Sequence, residues 1–321
     1  MRVLFAGSPS IAVSLLRLLC DLKGIELVGV LTNPDTSKGR HGTPQPTEVG
    51  EAAEKILLKF KEQDKKTFPV LKPLKLDASL RDHVSTLKPD LLVSFAYGRF
   101  FGPKFLSLFP FGGINIHPSL LPKYRGPTPV QAAILNGDDV TGITIQRLAQ
   151  EMDSGDILAT EILQLTGRET AASLSGIICE KAALMLPAVL NDIAAGKAHG
   201  IPQDHSKASF CSLIEKDDGL LDWKMIVKEI EAKIRAFDPW PLCRTIHSGR
   251  ELFILKADIY DSDKMSGEPG LVLGIDKNNG ILIQTGKGIL AVTELQYQTK
   301  KALFWKDFLN GARDFTGSVL A

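Results

Sequence analysis

Apolar residues in the first half of the chain come in short blocks, separated by polar turns that carry glycine or proline. Val3-Leu4-Phe5-Ala6 is long enough for one buried strand, and Gly7-Ser8-Pro9-Ser10 supplies a turn that can cap a following helix. Leu15, Leu18, Leu19 and Leu22 then share one face of a helix. Leu27 to Leu31 predicts a second strand, and a polar loop runs from Thr32 to about Thr47. A helix over Glu48 to Lys61, a strand at Phe68 to Leu71, a helix over Asp77 to Leu87 and a buried strand at Asp90 to Ser94 follow. Gly113 to His117 alternates apolar with polar, as a strand does. A helix at Val130 to Leu135, a strand at Gly142 to Leu148, a turn over Glu151 to Asp156 and a strand at Ile157 to Glu161 complete the alternation. Helices interleaved with strands predict an α/β fold with a mostly parallel sheet and helices on both faces.

The texture changes after the helix predicted over Thr170 to Ala194. Gly200-Ile201-Pro202-Gln203-Asp204-His205 has the composition of a linker. One helix near Trp223 to Phe237 then leads into short β-rich runs at Leu252 to Ala257, Gly270 to Ile275, Gly280 to Gln284 and Gly288 to Leu295. Short strands at regular spacing suggest a second domain that is a small β-barrel or sandwich.

Composition narrows the function. With 321 residues, 44% hydrophobic and 23% charged, the chain suits a two-domain globular protein. A net charge of +1 argues against a generally basic nucleic-acid binder but leaves room for a local basic patch. Cys20, Cys179, Cys211 and Cys243 are scattered without C-x-x-C spacing, so neither a disulfide framework nor a zinc knuckle is expected. The N-terminus reads as a strand entering a turn, and the apolar run Ile11 to Cys20 is too short to span a membrane. A cytoplasmic protein with no membrane contact follows as the expectation.

The chemistry points to GINIHPSLLPKYRG, Gly113 to Gly126. Residues two apart in a strand face the same way, so Asn115 and His117 project together at a carboxyl end of the sheet, where open α/β folds bind ligands. An amide there can donate to a developing oxyanion and an imidazole can move a proton. Asp153 lies in the acidic turn after the next strand and could hold one ring nitrogen so as to raise the basicity of the other, as in hydrolase triads. It fits an Asx-turn into Gly155 equally well. No G-x-S-x-G and no cysteine accompanies this group, so direct transfer to an attacking acceptor suits it better than covalent catalysis. His117, Asp153 and Asp156 lack H-x-H or H-E-x-x-H spacing, and no metal is expected. Gly7 to Ser10 lacks the remaining glycines of a dinucleotide loop and reads as a tight turn.

Asn115, His117 and Ser119-Leu120-Leu121-Pro122, together with Gly142-Ile143-Thr144 and Met152-Asp153-Ser154-Gly155-Asp156, resemble the signature of the folate-dependent formyltransferases. Ala96-Tyr97-Gly98-Arg99 is similar to the segment that lines that family's folate pocket. Leu221-Asp222-Trp223 and Arg235-Ala236-Phe237-Asp238-Pro239-Trp240-Pro241 resemble the C-terminal domain of the members that formylate initiator tRNA. The resemblance implies a Rossmann-like catalytic domain over residues 1–199, a linker at 200–207 and an OB-like tRNA-binding domain over 208–321. It implies 10-formyltetrahydrofolate as donor, methionyl initiator tRNA as partner, and a monomer. Asn115, His117 and Asp153 would be catalytic. Gly98, Arg99, Phe100, Phe101, Ser119, Leu120, Leu121 and Pro122 would hold the folate, and Lys38 and Arg40 the tRNA. Residues 206–321 carry 16 basic and 16 acidic residues, so any grip on RNA must be local. The rival acceptor is an amino sugar on a nucleotide, formylated from the same donor.

Overall fold

The computed structural model describes residues 1–37 and 42–321. They divide into two compact units, Met1–Pro129 with Val140–Gln164 and Ser175–Ser212, and Val130–Asp139 with Leu165–Leu174 and Leu213–Ala321. The chain opens with strand β1 (Arg2–Ala6), helix α1 (Val13–Asp21) and strand β2 (Glu26–Leu31). A short antiparallel pair, β3 (Thr36–Ser37) and β4 (Pro44–Gln45), precedes helix α2 (Glu48–Glu62) and strand β5 (Val70–Leu71). Helix α3 (Ala78–Thr86), strand β6 (Leu91–Phe95), the one-turn helix α4 (Pro103–Leu106) and strand β7 (Gly113–His117) follow. Helix α5 (Pro129–Leu135), strands β8 (Val140–Arg147) and β9 (Ile157–Gln164), and helix α6 (Ala171–Ala194) come next.

The first sheet has the order β5-β2-β1-β6-β7-β8-β9. Its first five members are parallel, and β8 and β9 are antiparallel additions at one edge. Val3 to Ala6 and Leu91 to Phe95 are buried throughout, as expected of central parallel strands covered on both faces. The chain runs outward from β1 in both directions, so the β1–β6 junction is the topological switch point, the kind of place at whose carboxyl ends open α/β sheets bind ligands. Helices α2 and α3 start where the sequence offers side-chain caps. Thr47 accepts from the Gly50 amide at 3.0 Å, and Asp77 from the Leu80 amide at 3.1 Å. Beyond β6, the rings of Tyr97, Phe101, Phe105 and Phe109 follow one another at 5.2, 5.4 and 5.6 Å and pack with Leu4, Leu31, Val84 and Leu92.

Helix α6 is, among the described residues, long and apolar enough to cross a membrane by length and composition. Its Leu174, Ile178, Ala182, Leu186 and Leu190 recur every four residues and are buried, the pattern of a helix packed into a core. The stretch Gly200 to His205, expected as a linker, is held on the first unit. Ile201 pairs with Ile157 through backbone hydrogen bonds of 2.8 and 2.9 Å, and Gln203 is 5% exposed.

In the second unit, helix α7 (Val227–Ala236) precedes an antiparallel sheet of order β10-β11-β14-β13-β12. Its strands are β10 (Cys243–His247), β11 (Arg250–Asp261), β12 (Val272–Asp276), β13 (Gly280–Gln284) and β14 (Ile289–Tyr297), with β15 (Leu303–Phe304) paired to β14 and helix α8 (Trp305–Gly311) after it. Strands β11 and β14 are longer than their apolar blocks, because register shifts at Ile254/Lys256, Lys256/Ala257 and Ile259/Asp261 let pairing continue past mismatched residues. Trp223 ties the unit internally, its indole N–H donating to the buried Thr245 hydroxyl at 2.9 Å.

Candidate active site

Strand β7 ends at the carboxyl edge of the first sheet, and its period brings Asn115 and His117 to the same aspartate. Asp153 sits in the turn between β8 and β9 with φ of 52°, a left-handed conformation that aspartate tolerates better than most residues. Its Oδ1 accepts from the Gln146 amide at 2.9 Å and from Asn115 Nδ2 at 3.4 Å. Its Oδ2 accepts from the Gly126 backbone N–H at 2.9 Å and lies 3.5 Å from His117 Nδ1. The antiparallel register opposes Asn115 to Gln146 and His117 to Thr144, so β8 delivers polar partners to the same end of β7.

His117 is 3% exposed, and its Nε2 lies 2.8 Å from the Tyr124 carbonyl oxygen. A carbonyl can only accept, so Nε2 carries the hydrogen and the neutral ring presents its lone pair at Nδ1. Burial holds the imidazole pKa below its ordinary value of 6.5; Asp153 and the Tyr124 carbonyl push the other way but are outweighed. The neutral ring is therefore the resting form at pH 7, ready to take a proton at Nδ1. This differs from the triad expectation. The backbone carbonyl holds the far nitrogen, and the carboxylate stands beside the nitrogen with the free lone pair.

Thr144 anchors the loop after β7, its hydroxyl donating to the Ser119 carbonyl at 2.7 Å and accepting from the Leu121 amide at 3.1 Å. Ser119 is buried and donates its own hydroxyl to the Lys123 carbonyl, so it shapes the loop from within. Leu121 is also buried, while Leu120 and Pro122 are half-buried. In the segment after β6, Gly98 has φ of +77°, and Arg99 donates to the carbonyls of Pro73 and Leu74, each at 2.9 Å. Phe100 is 56% exposed, whereas Phe101 is buried in the ring stack. Of the eight residues expected at the folate, Gly98, Arg99, Phe100, Leu120 and Pro122 thus reach the surface. Lys38 and Arg40 lie outside the described residues.

Residues 1–190 match the family described as formyl transferase, and residues 213–313 match the formyl transferase C-terminal domain. The chain belongs to the formyltransferase family. The methionyl-tRNA formyltransferase of Treponema denticola is 48% identical over 319 residues, 98% of each chain. That of Borreliella burgdorferi (strain ZS7) is 38% identical over 322 residues, 100% of this chain and 99% of the other. Among solved structures, the N-formyltransferase of Helicobacter canadensis, in complex with folinic acid and dTDP-3-aminofucose, has a TM-score of 0.62 at 20% identity, over 90% of this chain and 98% of that one. HypX of Aquifex aeolicus in complex with tetrahydrofolic acid has a TM-score of 0.59 at 19% identity, over 98% of this chain and 48% of that one. Both likenesses show the fold alone.

Three buried polar residues of this formyltransferase escape local sequence patterns. Gln146 is 1% exposed and Arg125 4%, and with Gln203 they form the hydrogen-bonded backing of the Asp153 loop. Gln146 leaves a faint signal, a polar residue beside Ile143 and Ile145 in an apolar strand. Gln203 leaves none, because its partners are 48 or more residues away in the chain. Among the described residues, no thiol beside the site is ionised to compete as a nucleophile. Cys211, whose sulfur lies 3.6 Å from the Tyr124 carbonyl, has its pKa raised, chiefly by burial, and stays protonated. The arrangement therefore offers an amide donor, a neutral base and a fixed carboxylate, which is equipment for acyl transfer without a covalent enzyme intermediate.

Proposed function

We propose that this formyltransferase moves the formyl group of 10-formyltetrahydrofolate to the α-amino group of methionyl initiator tRNA. What carries the chemistry is the convergence of Asn115 and His117 on one carboxylate at the carboxyl end of β7. The acceptor follows from likeness: relatives 48% and 38% identical over almost their whole length bear the methionyl-tRNA name, while the amino-sugar enzyme shares 20%.

The amine nitrogen attacks the formyl carbon, and the carbonyl π pair moves onto oxygen. Asn115 Nδ2 donates to that oxyanion, an interaction of the kind worth roughly 100- to 1,000-fold in kcat. His117 Nδ1 takes the proton that the attacking nitrogen sheds. The imidazolium so formed is flanked by Asp153 and the Tyr124 carbonyl, both of which favour its charge. The oxyanion pair then re-forms the carbonyl as the bond from the formyl carbon to N10 breaks, its electrons go to N10, and N10 recovers a proton from His117. Gly98 to Phe101 and Ser119 to Pro122 would hold the folate, with the exposed Phe100 ring offering an apolar surface. Lys38 and Arg40 would meet the phosphates of the tRNA. Residues 208–321, an antiparallel sheet consistent with an OB-like barrel, would take the body of the tRNA in a monomeric, cytoplasmic enzyme.

Purified protein incubated with charged initiator tRNA and 10-formyltetrahydrofolate should yield formylmethionyl-tRNA. A protein that leaves this tRNA untouched but formylates a dTDP-linked amino sugar would overturn the acceptor assignment.

A further inference from the structure

A buried chain of amides and a guanidinium runs behind the reacting group and ends on Asp153. The Gln203 side-chain nitrogen lies 2.9 Å from the Asp153 carbonyl, 2.7 Å from the Gly155 carbonyl and 3.2 Å from Gln146 Oε1. Its oxygen accepts from Arg125 Nε at 3.2 Å and Nη2 at 2.6 Å. These partners fix the amide's orientation, since the carbonyls can only accept and the guanidinium can only donate. Gln146 then donates to Asp153 Oδ1 at 2.9 Å. Arg125 Nη2 also reaches His205 Nδ1 at 3.3 Å.

Gln203 touches neither Asn115 nor His117 through any of these bonds, yet it grips the backbone of Asp153 and of the residue two positions on. Asp153 needs that grip. Its left-handed φ is strained, and its carboxylate must serve Asn115 and His117 from one position. We infer that Gln203, backed by Arg125, is a positioning residue for the transfer, holding the Asp153 turn so that one carboxylate faces Asn115 and His117 together. This rests on the acyl-transfer assignment of the Asn115–His117–Asp153 site. The segment that supplies Gln203 then belongs to the catalytic apparatus and is more than a tether.

The test compares wild type with Gln203→Met, which keeps the volume without a new charge, and Gln203→Glu, which keeps an acceptor for Arg125 but turns a carboxylate oxygen toward two carbonyls. In both, kcat for formyl transfer should fall by up to about 100-fold, the loss that follows from a misplaced reacting group, while the donor KM holds. Histidine ring NMR of the free enzyme supplies a readout that needs no acceptor. Asp153 raises the His117 pKa against the larger effect of burial, so its displacement in Gln203→Met should move the His117 titration further down. A merely structural role would lower the melting temperature and leave that midpoint and the kcat of folded enzyme alone. A folded Gln203→Met or Gln203→Glu protein with full kcat, or an unmoved His117 midpoint in Gln203→Met, overturns the inference. Failure of wild type to formylate the tRNA would instead strike the functional assignment, and the NMR titration would still judge Gln203.

Discussion

Replacing Gly155 with alanine would place a methyl carbon 1.9 Å from the Arg147 carbonyl oxygen and 2.8 Å from its carbonyl carbon. Such contacts do not close below 3.0 Å, so the two backbones must separate by about 1.1 Å. Arg147 is the stiffer side, because it lies in β8, pairs with Ile114 of β7 and donates to the Asp156 carbonyl at 2.9 Å. The turn carrying Asp153 therefore moves. A shift of about 1 Å in a reacting group costs on the order of 100-fold in rate, or about 2.7 kcal/mol of barrier, and overpacking of this kind destabilises by about 1–3 kcal/mol. Initial rates of tRNA formylation, the donor KM and thermal melting should be measured together. We expect kcat to fall about 100-fold with the donor KM near its wild-type value. Gly176→Ala is the control. Gly176 sits exposed in α6 with nothing within 4 Å of a new Cβ, so that change should leave kcat alone and raise stability by about 0.5–1 kcal/mol. Wild-type kcat in Gly155→Ala would refute the claim that Asp153 must be held to within about an ångström.

His117→Asn should lower kcat by about two orders of magnitude or more while donor binding survives, and Asp153→Asn should do comparable damage by withdrawing the charge beside the imidazolium; steady-state kinetics and donor titration check both. Because the folded pKa of His117 lies below 6.5, the unfolded chain takes up a proton there that the native protein refuses. Stability should therefore fall as pH drops below 6.5 and level off once the lower folded pKa is passed, with a shallower slope in denaturant melts of His117→Asn. If the loop after β7 holds the folate, Leu120→Asp, which puts a carboxylate at its half-buried position, should weaken folate binding about tenfold by titration, with tRNA affinity unchanged. The pair Lys38→Ala/Arg40→Ala should raise the tRNA KM and reduce its log–log salt slope by about 1 per lost phosphate contact, without moving the folate constant; an unaltered slope would free this loop from any role at the tRNA.

Local pattern carried the first unit a long way, because strand and helix periods are written in neighbouring residues. It placed β7 and the pairing of Asn115 with His117 on one face, since both follow from a period of two. It left open that β8 and β9 run antiparallel, because apolar blocks of similar length serve either direction. It missed β10, where Arg244 and His247 interrupt the apolar run and are buried, each with a partner distant in the chain, Asp217 and Tyr297. In the site, Asp153 stood out through its acidic turn and its family likeness. The role of the Tyr124 carbonyl did not, because a main-chain oxygen has no signature in sequence. Gln203 was invisible for a related reason: Gly200 to His205 has linker composition, and only the folded chain shows that its one buried amide meets residues from three separate segments.

The segment from Gln203 to Ser212 lies along the loop after β7 like a seam. Arg125 and Phe210 bridge in parallel, the Arg125 amide donates to the Ser209 carbonyl at 2.8 Å, and the Cys211 amide donates to the Arg125 carbonyl at 2.9 Å. The two main-chain groups that hold His117 and Asp153, the Tyr124 carbonyl and the Gly126 amide, lie on the stitched edge. This sets where evolution or an engineer can cut. A gene fragment stopping at residue 199 would leave that edge open, and a recombination joint before Ser212 would trade away stitches along with the downstream module. Any exchange of the downstream segment that is to keep His117 and Asp153 in place must therefore leave Gln203 to Ser212 with the loop it is stitched to.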